Sequence, residues 1–344
     1  MRYRDAGVDV AAGDDVKRAI GARVRATWTR AVRPLPGGFC GVMEFPGGGA
    51  LLAATMDGVG TKLHVALAAG RVGDATADLV RHCANDLLAH GATPLCFLDY
   101  IAQARLAPEV VRAAVEGMAR ACAEVGAALI GGETAQMPDT YLPEVVDVAG
   151  CMIGHVTAAR LRDGAAVRAG DRVLGLGSEG LHTNGYSLAR QVLAGSGLSL
   201  ASPLPGGGGE TVGEALLAPH RWYGRALGPL LDDEGLHALA HVTGGGIAGN
   251  LVRVLPEGCR AQIEPGSWPA LRVFGWIGEA GGVPEDDLRE TFNLGVGMAL
   301  VVAEQAAPRI ADALARAGER VWTIGRVAAG TRGVEWMDGG RAGR

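Results

Sequence analysis

The stretch TMDGVGTK, residues 55–62, follows the apolar run ALLAA and sets Gly58 and Gly60 between the carboxylate of Asp57 and the ammonium of Lys62. Glycine lets a ligand approach the main chain closely, so a strand that ends this way has the makings of a phosphate or metal loop. The order Gly60-Thr61-Lys62 is not that of the Walker loop, where lysine follows glycine and precedes serine or threonine. A different cradle is required.

The elements on either side of this loop follow from spacing. Upstream, residues 14–30 read as a helix stopped by Pro34 and Pro36, and FCGVMEF (39–45) and ALLAATM (50–56) read as a hairpin joined by PGGG. Downstream, residues 73–91 carry Leu79, Val80, Cys83, Ala84, Leu87 and Leu88 at helical spacing and end on Gly91. PLCFLDYIA (94–102) reads as a strand, and residues 108–126 as a helix opened by proline and closed by glycine. Strands over 127–134 and 144–156 complete the first half. A polar, basic stretch at 157–171 marks a boundary, giving domains over 1–165 and 166–344. In the second half the pattern predicts a strand at 172–177 and helices at 185–195 and near 219–231. Strands at 238–243 and 291–303 follow, with a final helix and strand. Both halves are mixed α/β.

At 344 residues, two domains are expected. A net charge of -5 speaks against general binding to nucleic acid or a membrane surface. No apolar run reaches the roughly 18 residues of a membrane span, and MRYRDAGVD has no apolar signal core, so a cytoplasmic protein is expected. Six cysteines without a CxxC pair, most within apolar runs, read as buried free thiols of a reducing compartment. Lys17 and Lys62 are the only lysines, which singles out the one placed in the glycine loop.

Five glycine-rich spots have polar neighbours: DGVGTK (57–62), GGET (131–134), GLGSEGLHTNG (175–185), TGGG (243–246) and NLGVG (293–297). Phosphates need several backbone N–H groups aimed at them, and glycine permits it. Asp57, Asp86, Asp99 and Glu133 supply the oxygen ligands that magnesium prefers. The 73–91 helix carries a polar stripe of Asp78, His82, Asn85 and Asp86, for which a solvated face is the simpler reading. Asp99 interrupts an apolar strand, so it must be paired, metal-bound or protonated. His241 and Thr243, two apart on a strand, share a face before a glycine loop. Gly244, Gly246 and Gly249 satisfy G-x-G-x-x-G with Glu264 twenty residues after the first. Pro256 leaves room for barely two helical turns, which speaks against a dinucleotide fingerprint.

Eight segments in order now resemble one family: YRDAGVD (3–9), DGVGTKL (57–63), NDLLAHGATPLCFLDY (85–100), GGETAQMP (131–138), DVAGC (147–151), HTNGYSL (182–188), HVTGGG (241–246) and TFNLGVGM (291–298). The chain is similar, end to end, to the phosphoribosylformylglycinamidine cyclo-ligases, also called aminoimidazole ribonucleotide synthetases. The resemblance implies a two-domain α/β (α+β) fold: an N-terminal mixed-sheet domain that pairs in a homodimer, and a C-terminal α+β domain. It implies ATP and Mg2+ as cofactors, and formylglycinamidine ribonucleotide as substrate, cyclised to aminoimidazole ribonucleotide with release of ADP and phosphate. In that scheme the formyl amide oxygen is phosphorylated and the amidine nitrogen then attacks.

Carried over residue by residue, the resemblance implies that Asp57, Asp86 and Glu133 hold magnesium. Gly58, Gly60, Thr61, Lys62, Asn85 and Gly132 join them around the nucleotide. Asp99, His241 and Lys62 are the implied catalytic groups; Thr134, His182, Thr183, Asn184, Thr243, Gly244, Gly245 and Gly246 are implied to hold the substrate. Three positions depart from the family pattern: Met56 where threonine is usual, Gln136 where glutamate is common, and His220 where threonine is usual. A non-catalytic nucleotide-binding paralogue is the alternative, and retention of all the carboxylates argues against it. Selenophosphate synthetase, a wider relative, normally has a reactive Cys or selenocysteine in an N-terminal glycine-rich segment; this chain has none before Cys40.

Overall fold

The protein is described by a computed structural model over residues 2–6, 15, 19–20, 22–35 and 37–337. The helix expected over 14–30 and the YRDAGVD segment fall partly outside these residues. The first sheet comprises β1 (Val32–Arg33), β2 (Gly41–Glu44), β3 (Leu51–Gly58), β4 (Thr93–Gln103), β5 (Ala128–Gln136) and β6 (Val146–Val156), in the order β1-β2-β3-β6-β4-β5. Its neighbours are antiparallel except β4 and β5, which are parallel and joined through the helix Pro108–Val125. The second sheet comprises β7 (Arg172–Gly177), β8 (Leu236–His241), β9 (Cys259–Ile263), β10 (Val296–Val302), β11 (Val321–Ala329) and β12 (Gly333–Trp336), in the order β12-β9-β11-β7-β10-β8. Only β12 with β9 is parallel there.

The antiparallel setting of β8 removes the dinucleotide-fold reading, because that strand pairs only with β10 and leads into the six-residue helix Gly246–Leu251. Other differences have local causes. The helix expected near 219–231 is a short helix Gly224–Leu227 followed by one 3-10 turn. A separate helix, Val212–Leu216, lies in a stretch to which the sequence reading assigned no element. Its signal was present in the sequence, since Thr211 and Glu214 form a reciprocal capping box. The strand expected over 238–243 ends at His241, so Thr243 does not share a strand face with it. Thr243 lies in the following turn, its hydroxyl bonded to Asn250 Oδ1 at 3.1 Å. The strand expected over 291–303 begins at Val296, after the helix Glu285–Thr291.

The helix Val72–Ala89 positions everything that follows. All but three of its eighteen residues are buried, far more than one amphipathic stripe. Leu79, Val80, Cys83, Ala84 and Leu87 enter the core under the first sheet, while Leu88 and Ala89 belong to the core of the second. Helices of the C-terminal half close the other side, with Tyr186, Leu188 and Phe274 in the same core as the first sheet. The polar stripe Asp78, His82, Asn85 and Asp86 is therefore buried between the halves, not solvated as the simpler reading had it. On the first sheet's other face, Met56 is 68% exposed, and Leu52, Leu98 and Ile153 on that face are half-buried. Among the described residues, no helix is long and apolar enough to cross a membrane.

Helices Val72–Ala89 and Pro108–Val125 cross at Gly73 and Gly117, where a Cβ on Gly117 would lie 1.9 Å from the Gly73 carbonyl oxygen. Backbone cannot swing aside as a side chain can. Gly117→Ala is expected to cost about 1–3 kcal/mol through overpacking; an unchanged urea midpoint would show that the helices are not in close contact.

Candidate active site at the junction of the two halves

The glycine loop closes β3 and starts the helix Lys62–Ala68, with Gly60 in the left-handed region at φ +64°. This turn sends Lys62 inward, not toward solvent. Its ammonium is 1% exposed and donates to Asp78 Oδ2 at 2.6 Å and to the carbonyl of His182 at 2.5 Å. Burial alone would lower its pKa, but Asp78 outweighs that and holds it above the ordinary 10.5. The expectation that Lys62 is free to neutralise phosphate is corrected here. Its charge is consumed by a carboxylate that the sequence did not connect to it. Asp78 also accepts from Arg81 Nη1 and from the backbone N–H of His220, both at 2.9 Å. Asn85 is likewise structural, donating to the Arg221 carbonyl at 2.8 Å and accepting from Tyr223 N at 3.3 Å.

Beside this pair runs a continuous chain of polar contacts between two carboxylates. Asp57 Oδ2 lies 2.8 Å from His82 Nε2. His82 Nδ1 meets Thr183 Oγ1 at 3.0 Å, and the same hydroxyl meets His220 Nδ1 at 2.7 Å. His220 Nε2 faces His241 Nε2 at 3.1 Å, and His241 Nδ1 lies 2.7 Å from Asp86 Oδ1. Each of these five contacts needs one proton. Three neutral imidazoles and one hydroxyl supply four, so with both carboxylates ionised the filled chain contains one imidazolium.

His82 is that group. Burial opposes its protonation, but Asp57 and, more weakly, Asp86 lift its pKa to about 9. Burial also opposes ionisation of Asp57, which His82 and the Gly58 N–H offset to hold the carboxyl below 3.8. His220 and His182 are driven well below 6.5 by burial first and then by neighbouring positive groups. His241 is lowered by burial against the opposing pull of Asp86.

The remaining expected residues divide. Asn184 is brought to the TGGG turn: its Nδ2 is 3.3 Å from where a Cβ on Gly244 would stand, and its buried Oδ1 has no hydrogen-bond partner among the described residues. Gly246, at φ +62°, packs so closely that a Cβ would lie 1.9 Å from the Arg289 carbonyl oxygen. Asp57, Gly150, Asp99 and Gly132 form one row across β3, β6, β4 and β5, all on the helix-covered face. Asp99 is thus two strands from Asp57, and no contact joins it to His241. Gly132 leaves room for its carboxyl, which burial holds above the ordinary value. Glu133 is the next residue along β5 and is exposed on the opposite face, so it does not share a cation with Asp57 within this chain. Thr134 returns to the helix face but near the open end of β5. Met56 points outward, so its departure takes no hydroxyl from the Asp57 side. Gln136 accepts from Leu106 N at 3.3 Å, a bond glutamate could also accept. His220 alone among the departures enters the site.

Both halves of the chain match family models: AIR synthase related protein, N-terminal domain, over residues 37–156, and AIR synthase related protein, C-terminal domain, over 168–338. The phosphoribosylformylglycinamidine cyclo-ligase of Sorangium cellulosum is 45% identical over 332 residues, covering 95% of each chain. That of Citrifermentans bemidjiense is 43% identical over 342 residues, covering 98% of each. Among solved structures, tt0281 from Thermus thermophilus superposes with a TM-score of 0.66 at 23% identity, over 93% of this chain and 96% of that one. AaThiL complexed with AMPPCP and TMP gives 0.62 at 14% identity, over 98% and 95%. These two structures bear on the fold alone.

Fold and matched domains together define a two-domain enzyme of the AIR synthase type. Identity across nearly the whole chain narrows this further: the protein belongs to the phosphoribosylformylglycinamidine cyclo-ligase family. It is an ATP-dependent carbon–nitrogen ligase of purine biosynthesis, which closes formylglycinamidine ribonucleotide to aminoimidazole ribonucleotide and releases ADP and phosphate.

Two outcomes check the electrostatics. Lys62→Met leaves Asp78 with Arg81 and the His220 N–H but takes away its Oδ2 partner, and is expected to cost about 1–3 kcal/mol in chemical denaturation; an unchanged denaturation midpoint would place Lys62 elsewhere. His82, with a folded pKa of about 9 against 6.5 ordinarily, stabilises fully below pH 6.5 and loses that contribution as pH rises to about 9. The urea midpoint should fall across that window, and His82→Asn should flatten the fall.

Proposed function

We propose that ring closure takes place where Asp57, His82 and Thr183 meet His220, His241 and Asp86. The observation that carries this reading is the unbroken contact chain from the half-exposed Asp57 to the buried His241–Asp86 pair. It draws on both halves of the protein. An amide oxygen is a poor leaving group, and magnesium-bound ATP, when present, supplies the phosphoryl group that makes it a good one.

The carboxylates fit a magnesium ion. Asp57 is ionised and 40% exposed at its side chain, and the nearest groups to Asp86 Oδ2 are Thr55 Oγ1 at 3.5 Å and His82 Nε2 at 3.8 Å, which leaves that oxygen free to ligate. His241, with both nitrogens engaged by Asp86 and His220, holds the Asp86 carboxylate in place, and the proton that the amidine nitrogen loses as it forms the ring bond leaves with the departing phosphate. Through His220 the His241–Asp86 pair is linked to Thr183 and His82. Asn184, with an unpaired Oδ1 beside the 243–246 turn, accepts a hydroxyl or amidine N–H of the substrate. Lys62 positions the His182 turn and does not touch phosphate.

The uncovered face of the first sheet suits pairing with a second copy, because its exposed Met56 and half-buried Leu52, Leu98 and Ile153 form an apolar surface. The six cysteines are free thiols, in keeping with a cytoplasmic setting.

The test is release of ADP that depends on formylglycinamidine ribonucleotide. Asp86→Asn should lower turnover about 100-fold or more at saturating magnesium, with the circular dichroism spectrum intact. Glu133→Gln, on the other face, should stay close to the parent rate. Parent-like kinetics for Asp86→Asn would remove this site from the reaction.

A further inference from the structure

Residues 37–40, just before β2, form a strap gripped from both halves of the chain. From the C-terminal half, Arg253 donates through Nε to the Gly37 carbonyl at 2.5 Å and through Nη2 to the Gly38 carbonyl at 2.8 Å. Its guanidinium lies 3.8 Å from the centroid of the Phe39 ring, and its Nη1 is anchored on Asn250 Oδ1 at 3.1 Å. From the end of the helix Val72–Ala89, His90 Nε2 accepts the Phe39 N–H at 2.8 Å, and His90 Nδ1 donates to the Arg162 carbonyl at 2.7 Å. Phe39 is thus held at its nitrogen and at its ring, and is only 6% exposed.

What this grip fixes is one carbonyl. Phe39 O accepts from Thr55 Oγ1 at 3.3 Å, and the same hydroxyl lies 3.5 Å from Asp86 Oδ2. Thr55 shares the helix-covered face of β3 with Asp57, two residues on. Asp86 Oδ1 is taken by His241 Nδ1 at 2.7 Å, so Oδ2 is the oxygen left for a cation, and Thr55 is the group nearest to it. The hydroxyl has one proton for two acceptors. A carboxylate draws that proton more strongly than a carbonyl does. A divalent ion on Oδ2 cancels the advantage and leaves the Phe39 carbonyl to hold the hydroxyl, so Thr55 keeps its place in either state. Cys40, next along the strap, adds no charge here: burial first, and then Asp86, push its thiol up to about 12.

We propose that Thr55 is a positioning residue for the free oxygen of Asp86, and that Arg253 holds Thr55 in that role through the 37–40 strap. The C-terminal half thereby sets how well an acid of the N-terminal half takes magnesium. Outer partners of a ligating carboxylate are worth about 10–100-fold in metal affinity, and a hydroxyl at 3.5 Å belongs at the lower end of that range. Neither residue touches a reacting atom, so the effect falls on metal affinity and not on the chemical step.

The experiment titrates the full chain with Mn2+ alone, following the free ion by electron paramagnetic resonance, and separately measures ADP release against magnesium concentration. Thr55→Val keeps the shape and loses the hydroxyl. It should weaken Mn2+ binding and raise the half-saturating magnesium concentration, each about 10-fold, with kcat at saturating magnesium within about 2-fold of the parent. Thr55→Ser should restore both. Arg253→Lys keeps the positive charge and loses the fork on the two carbonyls, which separates geometry from charge. It should repeat the Thr55→Val shift, and the double variant should be no worse than Thr55→Val alone. The proposal rests on the reading that Asp86 takes the cation, and Asp86→Asn tests that reading in the same titration: parent-like Mn2+ affinity there would remove it, and this proposal with it. Weakened Asp86→Asn beside parent-like Thr55→Val, or a kcat loss that saturating magnesium does not recover, would leave the reading and overturn the proposal. Effects that multiply in the double variant would overturn the part given to Arg253.

Discussion

The ammonium of Lys62, sealed between the Asp78 carboxylate and the His182 carbonyl, is the constraint on which the rest of the site depends. A lone buried charge of either sign would be prohibitive, so the glycine loop, the central helix and the C-terminal turn must all be in place together. His182 adopts a left-handed φ of +60°, unusual for a residue with a side chain, and its carbonyl in that turn meets the lysine. Asp78 extends the constraint further. By accepting the backbone N–H of His220 as well, it hands the position of the ion pair on to the histidines beside it.

The histidine chain then works as a graded set. At its open end, Asp57 and His82 form a charged pair within reach of solvent. At its inner end, Asp86 holds His241 with the ring neutral and one nitrogen turned to His220. Thr183 is the only hydroxyl between them and can donate in either direction, so the arrangement conducts a proton without moving heavy atoms. His220 is the link that makes the chain continuous. Threonine at this position would be too short to span from Thr183 to His241, and the inner pair would be cut off from the outer one.

Much of the fold could be read from spacing alone. Apolar periodicity located the central helix and β7, and the PGGG turn located the first hairpin, because each is a local pattern with one solution. The β8 boundary was misread because an apolar residue beyond the ladder, Val242, looks the same as one within it. In the site, Asp57, Asp86 and His241 were recognisable as chemically apt, yet their grouping rests on His82 and Asp78, which read as a solvated stripe. One clue was available: a helix apolar over most of its circumference leaves no solvent for its polar residues, so the stripe has to face a second body. Glu133 illustrates the opposite limit. Only the strand register, set by a bulge between Phe97 and Leu98, turns it away from Asp57.

The helix Val72–Ala89 contributes side chains to both cores and carries the junction's acids along its flank. Neither half of the chain is therefore a self-sufficient module, whatever the division between the two sheets suggests. A chimaera that joined one half to its counterpart from a distant relative would inherit mismatched charges in a place where water cannot screen them. Divergence across this junction must accordingly proceed by matched replacements on both sides.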